Sequence, residues 1–142
     1  MRQRDYLFEH EFLVRDSELD IQGVVNNANY QKYLEHARHR FLKRAGYDFA
    51  SLHAEGILPV VTRIEMDYIS PLRSDDSFVV RLDFRMKGRF RMVFDQWILK
   101  LPEFEPVVNA VVTGAVLQNS RPVPVPKDII AACETLRSKG DS

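Results

Sequence analysis

The chain is short of the residues from which many sites are built. One cysteine, Cys133, stands in 142 residues. No intrachain disulfide can form, and no cysteine-rich zinc site can be assembled. A lone thiol fits a reducing compartment, so a cytoplasmic location is expected. Long hydrophobic runs are missing too. None approaches the roughly 18 residues of a membrane-spanning helix. Charges at Arg2, Arg4, Asp5 and Glu9 fall where a secretion signal needs an apolar stretch. No membrane partner is expected. Excess charge of either sign is also lacking, since 20 Lys+Arg face 20 Asp+Glu for a net charge of +0. A general nucleic-acid binder is usually strongly basic, so no nucleic-acid partner is expected. Neutrality removes one protection against self-association and leaves room for an oligomer.

Familiar catalytic signatures are absent as well. There is no G-x-S-x-G elbow, no glycine-rich phosphate loop and no H-E-x-x-H pair. His10, His36, His39 and His53 form no ligand set, and His36 and His39 lie off the apolar stripe of their helix, where solvent exposure is expected. No metal is expected. Cys133 reads as an inert structural thiol in a C-terminal helical turn.

What is present describes one globular domain over residues 1–142, with 138–142 as a frayed tail. Phe8, His10, Phe12 and Val14 alternate with Glu9, Glu11, Leu13 and Arg15, predicting a half-buried strand over about Tyr6 to Arg15. Tyr30, Tyr33, Leu34, Ala37, Phe41 and Ala45 form a continuous apolar stripe at helical spacing, predicting one long helix over about Ala28 to Ala45. Asn26 and Asn27 stand where an N-cap belongs and Gly46 where a C-cap glycine belongs. Alternation then returns. Val60, Thr62, Ile64, Met66 and Tyr68 share one face of a strand, and two further strands carry Phe78 to Met86 and Met92 to Ile98 around a turn at Gly88. The last strand, about Val107 to Leu117, is apolar on both faces, as in a central strand or one at a subunit interface. Strand, helix, then four strands predicts an α+β layer: a five-stranded antiparallel sheet with one helix covering a face.

Charge is uneven along the chain. Asp5, Glu9, Glu11, Asp16, Glu18 and Asp20 dominate residues 1–20, while Arg85, Lys87, Arg89 and Arg91 stand together without an acid. A solvated face is the plain explanation of such a run. The segment from Arg15 to Tyr30 joins the first strand to the helix. Backbone N–H groups at a helix start are unsatisfied and carry the positive end of the dipole, so they can stabilise an oxyanion. A carboxylate nearby can activate water or attack. Equally, Asp20 and the asparagines can be turn and cap residues alone.

Asp20-x-x-Gly23-Val24-Val25-x-Asn27-Ala28-Asn29-Tyr30-x-x-Tyr33-x-Glu35-x-Ala37-Arg38 resembles the signature of hotdog-fold thioesterases, in the 4-hydroxybenzoyl-CoA thioesterase and YbgC-like branch. The run from Val61 through Arg63, Glu65, Asp67, Tyr68 and Pro71 to Asp76 is similar to that family too, and the likeness covers about Tyr6 to Ile130. The resemblance implies a hotdog fold, a curved antiparallel sheet wrapped around the long helix. It implies a homodimer, or a homotetramer, with sites between subunits, and hydrolysis of an acyl-CoA without metal or redox cofactor. Asp20 matches the family's catalytic carboxylate. Asn27 matches the position whose backbone N–H polarises the thioester carbonyl, and Gly23 the glycine that turns the backbone past the substrate. Lys87, Arg89 and Arg91 flank a hairpin that in the family lies near the mouth for CoA, where arginine forks suit phosphate. Alternation would send these three cations to one side.

The match has two departures. Asn26 and Asn27 replace an aromatic and a histidine common in the YbgC-like branch. The wording around Glu18 to Asn27 also looks like acyl-ACP thioesterases, but their Asp-x-Asn-x-His pattern is replaced by Asp20, Gln22 and Val24. The sequence thus favours an acyl-CoA thioesterase. An acyl-ACP thioesterase and a non-catalytic hotdog module binding an acyl ligand remain as alternatives.

Overall fold

A computed structural model describes residues 6–140. In chain order the elements are β1 (Phe8–Leu13), a 3₁₀ turn (Asp16–Glu18), α1 (Asn27–Arg44), α2 (Phe49–Ala54), β2 (Ile57–Tyr68), β3 (Ser77–Lys87), β4 (Arg91–Lys100), β5 (Glu105–Gln118), β6 (Arg121–Val123) and α3 (Lys127–Gly140). The sheet is antiparallel, ordered β1-β3-β4-β5-β2, with β6 turned back on the end of β5. This is the hotdog layer, with one strand more than expected. β6 escapes sequence reading because it is only three residues long and runs into the proline-rich stretch Pro122 to Pro126. The tail expected over 138–142 overlaps α3, which extends to Gly140. Positions 1–5, 141 and 142 lie outside the described residues.

Period-2 patterning decides which residues meet α1. Phe78, Val80, Leu82 and Phe84 of β3, Met92, Phe94 and Ile98 of β4, and Val108, Ala110 and Val112 of β5 are all buried on the concave face. The helix stripe packs on them: Phe41 meets Phe8, Phe84 and Phe94, while Tyr33 meets Phe12 and Phe78. The valine-rich β5 lies in the sheet interior between β4 and β2. Cys133 of α3 is fully buried in the same core, and burial pushes its thiol up to about 12.

Two bulges bend the sheet. One falls between Val61 and Arg63, the other between Ile98 and Leu99. The first corrects the expected face of β2. Thr62 is the extra residue, so Val61 opposite Gly114 and Pro59 opposite Val116 share the concave side with Ile64 and Met66. Strict alternation had put Val60 and Thr62 there. Gly114 allows this approach: a Cβ on it would stand 3.1 Å from the Val60 carbonyl oxygen.

One polar pair crosses the apolar core. Gln96 sits on the concave face of β4 with no exposed surface. Its Nε2 donates to the Leu34 carbonyl at 3.0 Å, and its Oε1 accepts from Arg38 Nη1 at 3.0 Å. Arg38 is 8% exposed, and burial pushes its pKa down to about 10 against the opposing field of Glu35. Gln96 thus fixes α1 on the sheet through backbone and side chain. Replacing Gln96 by Leu strands the guanidinium. Urea unfolding should show a loss of about 2–3 kcal/mol, largely regained when Arg38→Met is added.

Candidate active site

The loop between β1 and α1 is held by its own backbone. Asp20 N–H donates to the Val24 carbonyl at 2.8 Å, and Gly23 N–H donates to the Asp20 carbonyl at 3.0 Å. Leu19 and Val25 bridge across the base of the loop. The Asp20 side chain closes the turn: Oδ1 accepts from Gln22 N–H at 2.8 Å and, more weakly, from Val24 N–H at 3.4 Å. Oδ2 receives no hydrogen bond among the described residues. Gly23 has φ +79, which explains the glycine by backbone conformation. A Cβ there would meet nothing within 4 Å, so no close contact in this chain demands it.

The helix start meets this loop. Asn26 is the N-cap of α1, and its Oδ1 accepts from Ala28 N–H at 2.9 Å. Asn29 N–H donates to the Asn26 carbonyl at 2.9 Å. Of the first three helical N–H groups, only that of Asn27 has no acceptor among the described residues. Asn27 is exposed, as are Asn26 and Ala28. The Glu18 carbonyl binds helix to loop, accepting from Asn26 N–H at 3.1 Å and Asn29 Nδ2 at 2.9 Å. The site therefore combines a carboxylate with one free oxygen and a helix-start N–H with no acceptor.

A second clamp was not read from the sequence. Leu72, fully buried, donates its N–H to the Tyr30 hydroxyl at 3.0 Å and accepts from Val25 N–H at 2.9 Å. Val24 also bridges to Arg73. Tyr30 stacks edge-on to Tyr68 at 5.7 Å. Its pKa is raised, by burial first and with Tyr68 and the Asp20 carboxylate adding to it. Asp20 thus lies at the end of α1 that faces the end of β2. Tyr30 belonged to the quoted motif, but its partner is a backbone N–H, and such a partner leaves no mark in residue identities.

The basic hairpin lies elsewhere. β3 begins at Ser77, just after the Leu72 and Arg73 clamp, and runs ten residues to Lys87, which puts the hairpin about 33 Å away along the strand. One chain does not bring Asp20 and Lys87, Arg89 and Arg91 together. The common side expected for the three cations is corrected as well. Lys87 and Arg91 are cross-strand partners, but Arg89 sits in the turn, with its carbonyl accepting from Val125 N–H at 2.8 Å.

A cavity of about 350 Å³ opens at the hairpin end, between the Arg38, His39 and Leu42 flank of α1 and Pro59, Val61, Met92 and Gly114 of the sheet. β2 borders it, and no strand among the described residues pairs with the outer edge of β2. Leu58, Val61, Ile64 and Tyr68 are exposed along that strand. No group of three His, Cys, Asp or Glu among the described residues is placed to hold a metal.

A curved sheet around one helix, with a loop carboxylate at the helix start, defines a hotdog domain of thioesterase type. Residues 14–133 match the Thioesterase-like superfamily, and the chain belongs to that family. It is 41% identical over 122 residues to the chloroplastic acyl-acyl carrier protein thioesterase ATL3 of Arabidopsis thaliana, covering 85% of this chain and 64% of that protein. The chain therefore spans less than two-thirds of that relative's length. It is 28% identical to the acyl-CoA thioester hydrolase YbgC of Escherichia coli, covering 88% of this chain and 94% of that one. A Thermus thermophilus thioesterase solved with coenzyme A and Zn superposes with a TM-score of 0.83 at 26% identity, over 94% of this chain and 96% of that one.

Replacing Asp20 by Asn keeps the Oδ1 contacts and removes the charge. Steady-state hydrolysis of a thioester substrate should fall by at least about 100-fold in kcat, with KM little changed. An unchanged kcat in the folded variant would remove Asp20 from the chemistry.

Proposed function

We propose that the protein hydrolyses acyl-CoA thioesters to the free acid and CoA, in the cytoplasm, using water and no resident metal or redox cofactor. The observation that carries this reading is the pairing of Asp20, one oxygen free, with the acceptor-less N–H of Asn27 in a single hydrogen-bonded loop. The thioester carbonyl oxygen takes the Asn27 N–H and gains negative charge as the carbon becomes tetrahedral. Asp20 draws the proton from the attacking water, or attacks the carbon itself to give an anhydride that water opens. The C–S bond breaks and the thiolate leaves with a proton. Gly23 keeps the turn in its left-handed conformation and so holds Asp20 in place. The relative named as an acyl-CoA thioester hydrolase and the CoA-bound neighbour support CoA as the carrier. The test is a panel of short, medium, long-chain and aromatic acyl-CoAs. Turnover of none, with ligand binding kept, would favour a binding module instead.

The working unit in this proposal is a homodimer joined through β2. Two copies paired edge to edge about a two-fold axis run antiparallel. The hairpin end of each then adjoins the Asp20 end of the other, which accounts for a site whose two halves lie about 33 Å apart in one chain. Lys87, Arg89 and Arg91 would take the CoA phosphates of the substrate bound at the partner's Asp20. The exposed apolar residues of β2 would be covered by the same pairing. Light scattering separates this dimer from a tetramer.

Mixing tests the sharing directly. Chains carrying Asp20→Asn and chains carrying Lys87→Ala, Arg89→Ala and Arg91→Ala are each defective alone. After mixed refolding, each heterodimer holds one site with an intact Asp20 and an intact hairpin. At low acyl-CoA the mixture should exceed the mean of the two parents several-fold. Sites built within one chain would give only the mean.

An acyl-ACP substrate is a second reading, favoured by the 41% identity to a protein named for that activity. Parallel rates with one acyl group on CoA and on ACP compare the two.

A further inference from the structure

The first turn of α1 departs from the usual chemistry of helix starts. The dipole favours a carboxylate there, and the third helical position often carries Glu or Gln, which reaches back to the N-cap N–H. α1 has no acidic residue in its first turn, and Asn29 holds the third position. The helix does not need the Asn29 side chain as a cap. Asn26 Oδ1 takes the Ala28 N–H, the Asn26 carbonyl takes the Asn29 N–H, and the Glu18 carbonyl takes the Asn26 N–H. Asn29 instead uses its donor end, and Nδ2 donates to the Glu18 carbonyl at 2.9 Å, 11 residues back along the chain. A carboxylate at position 29 would set its own lone pairs against that carbonyl. It would also bring a negative charge into the turn that offers the Asn27 N–H, weakening the field available to an oxyanion.

The Glu18 carbonyl stands two residues before Asp20, on the arm of the loop that carries it. The returning arm is tied elsewhere: Val25 N–H donates to the Leu72 carbonyl at 2.9 Å, and Val24 bridges to Arg73. The two arms meet where Leu19 bridges to Val25. The Asn26 N–H reaches Glu18 from the N-cap, at the point where the loop itself ends. Asn29 reaches it from inside the helix, so its amide fixes the Asp20 arm against α1 and not only against the rest of the loop. Asp20 rides on that arm and the Asn27 N–H on the helix. The Asn29 bond therefore sets one relative to the other.

We propose that Asn29 is a positioning residue for hydrolysis: its side-chain amide, acting through the Glu18 carbonyl, holds the Asp20 carboxylate in register with the Asn27 N–H. The inference rests on the hydrolase reading above and adds to it a residue that touches neither the substrate nor the reacting atoms. A carboxylate displaced by a fraction of an ångström to about 1 Å loses rate far more than binding. The signature of Asn29 is therefore a fall in kcat at steady KM.

The experiment sets Asn29→Ala and Asn29→Asp beside the wild type, and places each also in the Asp20→Asn background. Asp has the shape of Asn and suits a helix start, so Asn29→Asp separates position from folding, which urea unfolding checks for every variant. Each single variant should lose about tenfold or more in kcat on one acyl-CoA and hold KM within about twofold. Asn29→Gln, which keeps the donor on a longer arm, should recover part of the loss. In the Asp20→Asn background the same changes should cost less than about twofold further, because the group they displace no longer works. Amide hydrogen exchange reads the restraint without turnover: the Asn26 N–H, bound to the same Glu18 carbonyl, should exchange faster in Asn29→Ala. A kcat within about twofold of wild type in Asn29→Ala overturns the proposal. So does a loss repeated in full in the Asp20→Asn background, which would make the role independent of Asp20. Unfolding of all three single variants overturns it in favour of a purely structural residue, and unchanged exchange at Asn26 overturns the restraint itself. A wild type that turns over no acyl-CoA overturns the hydrolase reading, and the catalytic role of Asn29 with it, whatever the exchange shows.

Discussion

The contact between Gln96 and α1 sets the geometry of the whole molecule. An amide on the concave face of β4 accepts from the Arg38 guanidinium and donates to the Leu34 carbonyl, within an apolar core. Apolar stripes tolerate sliding by a turn, because one ring replaces another. A buried charge hydrogen-bonded to one side chain among the described residues does not, since displacement leaves both groups unsatisfied. The axial position of α1 is fixed by this pair. The place of the helix start, and with it the distance from Asn27 to the Asp20 loop, follows from it. The Tyr30 hydroxyl then ties the first turn of the helix to Leu72, and Leu72 to Val25. Core and site are one continuous set of restraints.

Much of this was legible in the sequence because it rests on periodicity and caps. The long helix, its asparagine start, the alternating strands and the Asp20 turn all leave marks within a few residues of themselves. The parts that stayed hidden depend on partners far along the chain. Gln96 reads as one polar residue in an alternating strand until Arg38, 58 positions away, is set beside it. The extra residue at Thr62 inverts the facing of the start of β2, and Gly114 on the next strand reveals why the chains can come so close. Arg89 looked like one of three cations on a strand but occupies the turn itself. The separation of the hairpin from Asp20 follows from strand direction, a property of the assembled sheet.

Charge along the sheet direction gives the neutral composition a second meaning. Asp16, Glu18, Asp20, Asp75 and Asp76 cluster where β1 ends and β3 begins, while Lys87, Arg89 and Arg91 lie at the hairpin where β3 ends. The cancellation is therefore spatial, an acidic pole against a basic one. Antiparallel pairing through β2 would set each pole against its opposite. That arrangement would favour self-association in one orientation and would place cations beside each Asp20.

The unpaired edge of β2 also bears on how the protein behaves at low abundance. In the dimer proposed above, a chain that held half of each site would not be a slower enzyme when alone; it would be an incomplete one. Mass action would then enter the rate law: far below the dissociation constant of the pair, output would rise with the square of chain concentration instead of in proportion to it. A twofold change in expression would be felt as a fourfold change in flux, and the strand edge would act as a threshold on the supply of the protein itself.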